Sequence, residues 1–200
     1  MFDPFQATEA VINTLPECGH ENEDAFRRRA MLGSKLTIAF IHYENEDSFT
    51  SKNRDERERI VDGHRENIES LAFAIECLEN DLNDKHGVTF ARDAKAGLRA
   101  LNTLRKERQY TFDYYTSFPE RRGNAQVARQ RLIDRLVDCY AFEKDIAFDE
   151  VTISKSVTPA MEFIMAGLEA AGLNAEPANI EATFRKSDHA VVRSSSLKHT

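Results

Sequence analysis

The chain is poor in the residues that punctuate or staple a fold: among 200 residues there are 8 glycines, 5 prolines and 3 cysteines. So few turn formers cannot delimit many short strands, which argues against a β-sandwich and against collagen-like or low-complexity sequence. Cys18, Cys77 and Cys139 are odd in number, far apart and never spaced Cys-x-x-Cys. Neither a disulfide framework nor a zinc ribbon is therefore indicated. No apolar run reaches the length of about 18 residues that crosses a bilayer. Even the stretch 161–173 is interrupted by Glu162 and Glu169. The opening Met1-Phe2-Asp3-Pro4-Phe5 lacks the basic-then-apolar pattern of a secretory leader. These absences lead us to expect reduced thiols in a cytoplasmic protein with no membrane partner. Also missing are Gly-x-Gly-x-x-Gly, a Walker loop, Gly-x-Ser-x-Gly and His-Glu-x-x-His, so no cofactor, metal or small-molecule substrate is indicated.

What is abundant is helix-forming sequence, with 30% charged and 41% hydrophobic residues. The spacing predicts an all-α bundle of four long helices, about 23–45, 53–84, 90–118 and 124–147, with short helices at 4–15, 159–171 and 177–186. One helical domain over 1–186 is expected, followed by a flexible polar and basic tail at 187–200. In the first long helix Phe26, Ala30, Leu36, Ala39, Phe40 and Tyr43 trace the apolar stripe, after Asn22 as a candidate N-cap. Thr158 and Pro159 form a cap and first-turn pair for the helix at 159–171, with Gly172 as its stop. Gly167 lies on that helix's apolar face, where glycine lowers helix propensity by roughly 1 kcal/mol relative to alanine.

The clearest periodicity is Val61, His64, Ile68, Leu71, Ile75, Leu78 and Leu82, whose separations alternate between three and four. That is a heptad seam, suited to packing inside a bundle or to a coiled coil with another chain. Arg54/Glu58, Asp55/Arg59 and Arg65/Glu69 stand four apart, where opposite charges support an exposed helix face.

The net charge of −7 conceals a segregation. Residues 1–84 carry 19 acids and 9 bases, whereas residues 85–135 carry 12 bases and 5 acids. In the basic section Arg105, Lys106, Arg108, Arg121, Arg122, Arg129, Arg131 and Arg135 mingle with Tyr110, Phe112, Tyr114, Tyr115 and Phe118. Guanidinium groups meet phosphates and aromatic rings stack on unpaired bases, the residue mixture of a single-strand or RNA site. The same arginines can instead pair with acidic helices of this or a neighbouring subunit, with Tyr110, Tyr114 and Phe118 as a core stripe.

Two smaller constellations carry chemistry. Glu17-Cys18-Gly19-His20-Glu21 gathers a thiol, an imidazole and two carboxylates, although zinc needs four convergent ligands and no second cluster supplies the rest. Cys77 and Cys139 fall beside apolar residues in helical patterns, where cysteine behaves as a small hydrophobe. The stretch Arg59-Ile60-Val61-Asp62-Gly63-His64 has an Arg-x4-His spacing and resembles the motif of HEPN-domain ribonucleases over these six positions. The resemblance implies an all-α, often dimeric protein whose Arg59 and His64 converge on the RNA 2′-hydroxyl and scissile phosphate. Ile60 departs from the polar residue usual after the arginine. On the other reading His64 is a polar break in the seam that fixes helix register. The sequence thus leads us to expect a non-enzymatic assembly protein, homo-oligomeric through its seam and opposite-charge faces. The alternative is an RNA- or single-stranded nucleic-acid-binding protein, with a HEPN-like ribonuclease as its enzymatic form.

Overall fold

The structure, a computed structural model, describes residues 2–16, 23–83, 90–118, 125–187 and 189. Among these residues it is all-α, as expected: four long helices with short flanking ones and no strand. The order is α1 (Pro4–Ile12), α2 (Glu23–Ser51), α3 (Arg54–Asn83), α4 (Phe90–Thr116), α5 (Ala125–Lys144), a 3-10 turn (Phe148–Glu150), α6 (Pro159–Ala170) and α7 (Pro177–Lys186). The chain forms two compact units, residues 1–51 with 123–200, and residues 52–122. The second is thus inserted in sequence between α2 and α5 of the first.

Local chemistry places the helix ends. Asp3 caps α1, accepting from the backbone N–H of Phe5 at 2.9 Å, with Pro4 in the first turn. Asn53 and Glu56 cap α3 reciprocally: the Glu56 N–H donates to Asn53 Oδ1 at 2.9 Å and the Asn53 N–H to Glu56 Oε2 at 3.1 Å. This capping box satisfies two otherwise orphan donors. α2 runs on to Ser51, past the expected end at 45, and buries Glu46 and Phe49 in that extension, so only Lys52 and Asn53 separate the two helices. Thr158 accepts from the Met161 N–H at 3.2 Å, as its position before Pro159 predicts. Gly172 has a φ of +70°, the left-handed conformation that ends a helix most cheaply at glycine. Asn22 and Asn124, the other expected caps, lie outside the described residues.

In the larger unit α5 is central, packing against α2, α6 and α7. Apolar spacing predicts a stripe of Ala128, Leu132, Leu136, Cys139 and Tyr140; the first four are buried and Tyr140 partly so, but Ile133, Val137 and Ala141 are buried too. A helix covered on several sides buries a wide arc, which a one-face periodicity does not reveal. Gly167 stands where α6 meets α5: a Cβ there would come within 2.6 Å of Leu136 Cδ2, so the glycine is required by close approach. The connector 151–157 is extended without a partner strand, and it turns Val151 and Ile153 into the core.

The smaller unit is a hairpin of α3 and α4. His64 stacks on Tyr115, the Arg65 guanidinium lies 5.8 Å from the Phe112 ring centre, and Leu78 adjoins Gly97. Rising numbers on one helix meet falling numbers on the other, so the pair is antiparallel. Of the seam, Ile75 is buried, while Val61, His64, Ile68, Leu71, Leu78 and Leu82 stay partly exposed. Two helices can cover only part of an apolar stripe.

Candidate functional site

The residues of the expected basic site fall in both units. Arg129, Arg131 and Arg135 lie on α5 in the larger unit; Arg105, Lys106, Arg108, Tyr114 and Tyr115 lie on α4 in the smaller one. Arg121 and Arg122, and the Glu17–Glu21 cluster with Cys18, lie outside the described residues.

The α5 arginines hold the larger unit together. Glu46 of α2 is fully buried, and Arg135 grips it at both oxygens, at 3.0 Å from Nη1 to Oε2 and 2.6 Å from Nη2 to Oε1. Arg131 stands 3.5 Å from the same carboxylate. Planar guanidinium matches carboxylate in this bidentate way, and burial of Glu46 depends on that match. Arg129 donates to Thr183 Oγ1 and to the backbone oxygen of Asn174, both at 3.1 Å, tying α5 to α7 and the loop before it. Further along the α2–α5 seam, Lys35 meets Asp138 at 2.8 Å and Arg29 meets Glu143 at 2.9 Å.

A second buried carboxylate, Asp134, was not singled out by sequence. It is 2% exposed; Ser187 Oγ donates to one oxygen and His189 Nδ1 lies 3.0 Å from the other. The His189 ring packs against Phe184 and Phe148, with centres at 4.6 and 5.2 Å. Ser187 and His189, expected at the start of a loose tail, are therefore fastened to α5. The serine hydroxyl is engaged by the carboxylate rather than by the imidazole, so this is an anchoring clasp and not a nucleophile–base pair. No sequence spacing points to it, because Asp134 and His189 are 55 residues apart.

On the hairpin, Arg59 and His64 both lie on α3. Five residues at 100° each separate them by about 140° around α3. Arg59 is exposed, whereas the His64 ring lies parallel to Tyr115 at 5.3 Å and 17°. His64 Nδ1 is buried without a hydrogen-bond partner, and burial, followed by the nearby Arg108 charge, pushes its pKa down. The shift favours the neutral imidazole at this position of the seam. Arg54 pairs with Glu58 at 2.7 Å as expected, but Arg65 turns to Asp62, also at 2.7 Å, rather than to Glu69. Asp62 is one turn back, and the same guanidinium lies 5.8 Å from the Phe112 ring centre. Asp55 and Arg59 form no ion pair among the described residues.

The expected aromatic stripe holds in part: Phe118 is buried, Tyr114 partly so and edge-on to it at 5.4 Å, and Tyr110 is 52% exposed. Arg105, Lys106 and Arg108 are exposed and make no ion pair among the described residues. The thiols divide in the same way. Cys139 is buried and its pKa is pushed up to about 12, chiefly by burial, which makes it inert as a nucleophile. Cys77 is exposed, contrary to expectation, because it lies on the side of α3 turned away from the seam. Among the described residues no cluster of histidine, cysteine and carboxylate side chains suits a metal, and no helix is long and apolar enough to cross a membrane. No family model, curated protein or solved structure matches the chain.

Proposed function

We propose that this protein is a non-enzymatic assembly module that self-associates through its α3–α4 hairpin. The observation carrying this reading is the partly exposed heptad seam on a two-helix unit whose helices differ in charge. α3 holds nine acids and four bases, α4 six bases and three acids. An isolated hairpin leaves much of its apolar stripe wet, and covering it with complementary helices is the direct way to bury the remainder. The free thiols Cys77 and Cys139 fit a reducing, cytoplasmic setting for such a module. The test is the native mass by sedimentation velocity across protein and salt concentration. Self-association that weakens as salt rises is expected; a monomer at all concentrations and at low salt would end the proposal.

The alternative, RNA or single-strand binding, is favoured by one observation: Arg105, Lys106 and Arg108 stand exposed and without ion pairs among the described residues. It requires salt-dependent retention of single-stranded nucleic acid that is lost on changing these three residues to alanine.

A further inference from the structure

We infer that Ser187 is a phosphorylation site, and that a phosphoryl group on its hydroxyl opens the clasp holding Ser187 and His189 to Asp134. The site lies in the larger unit and does not rest on the assembly reading. Ser187 Oγ is the hub of the clasp: it donates to one oxygen of Asp134 and accepts from the backbone N–H of His189 at 3.1 Å. The His189 imidazole reaches the other oxygen at 3.0 Å and packs against Phe184 and Phe148. The backbone of His189 shows that this segment is held rather than relaxed. Its φ is +54°, in the left-handed region that a residue with a side chain enters only at a cost. The contacts of the clasp offset that cost, and without them the segment leaves this conformation.

Ser187 also has what a kinase requires of its acceptor. It is the first residue past α7, its backbone is extended at φ −71° and ψ 140°, and it is partly exposed. Arg185 and Lys186 directly before it are exposed cations, complementary to an acidic substrate cleft. A helix end opens locally at far smaller cost than the whole unit, which frees the hydroxyl for reaction. In the transfer Ser187 Oγ bonds to the γ-phosphorus of a nucleoside triphosphate and the bond to the bridging oxygen breaks. The nucleoside diphosphate leaves, and the hydroxyl proton passes to the base of the kinase.

The product cannot re-form the clasp. An esterified Oγ has no proton to donate to Asp134. The phosphate carries about −2 at pH 7 and would face both the buried carboxylate of Asp134 and the negative end of the α7 dipole. Arg185, the nearest guanidinium in sequence, is engaged by Glu181 at 2.6 Å. Opening therefore withdraws His189 from the Phe148 and Phe184 rings and from Asp134, while the ion pairs between α2 and α5 stay in place.

The experiment incubates the full-length chain with ATP and a purified serine kinase selective for basic residues before its acceptor. Mass spectrometry locates the phosphate, and nuclear magnetic resonance follows hydrogen exchange of the Ser187 and His189 amides. Phosphate is expected on Ser187, with both amides exchanging roughly tenfold or more faster while those of α2 and α5 keep their protection. Ser187→Glu should speed the His189 amide more than Ser187→Gln, since both lack the hydroxyl and only the first adds a charge. Absence of phosphate on Ser187 overturns the modification site. Phosphate on Ser187 with unchanged exchange, or with faster exchange throughout the larger unit, overturns the latch. Equal effects of the two variants overturn repulsion by Asp134 as its cause.

Discussion

Glu46 sets the energetic character of the larger unit at the scale of single residues. A carboxylate with no exposure to water survives only because Arg135 meets both of its oxygens and Arg131 adds a second positive charge. Replacing it by alanine leaves two arginines buried without their acid, which costs about 3–5 kcal/mol. Glu46→Ala should therefore lower the urea midpoint well below that of Glu23→Ala, whose partner Arg27 is exposed. Equal midpoints for the two variants would show that the buried pair is not a main support of α2 on α5. Charge counted along the sequence puts Arg131 and Arg135 on a candidate nucleic-acid surface, because a count does not distinguish a solvated arginine from one 11% exposed. The signal that was available is the acid 89 residues earlier on an apolar helix face, and it is readable only once α2 and α5 are known to pack.

At the scale of elements, periodicity and caps account for most of what is seen. Among the described residues seven helices appear where the apolar spacing places them, because 3.6-residue repetition and end-capping are local properties of the chain. The end of α2 lies beyond its expected place, at Ser51, where Glu46 and Phe49 are buried. Gly167 is the clearest case in which an element's sequence makes sense only through its neighbour. On propensity alone Gly167→Ala gains roughly 1 kcal/mol, whereas forcing a methyl group against buried Leu136 costs about 1–3 kcal/mol. The variant should be destabilised in thermal unfolding; a higher melting temperature would show that Leu136 yields freely.

For the whole molecule, stability should depend on pH through two histidines that the fold keeps neutral. Burial, then the Arg135 charge, lowers the pKa of His42 from 6.5, with Glu46 opposing; burial, then Arg108, lowers that of His64. The unfolded chain takes up these protons near pH 6.5 and the native chain only below it, so their contribution is full above that value and is lost as pH falls through the lower native pKa values. Urea midpoints should drop between pH 7.5 and 5.5, and a His42→Phe/His64→Phe double variant should drop less. An equal drop in parent and variant would assign the effect to other groups. The sequence by itself determined the helical class, the position of each helix and the uneven distribution of charge, since all three are written in local spacing and composition. Only the tertiary structure decided that α2 pairs with α5 and α3 with α4, that three arginines of the basic section serve as internal braces, and that Asp134 clasps Ser187 and His189. Those outcomes depend on which distant groups lose their water together, and burial is a property of the packed chain that no single segment carries.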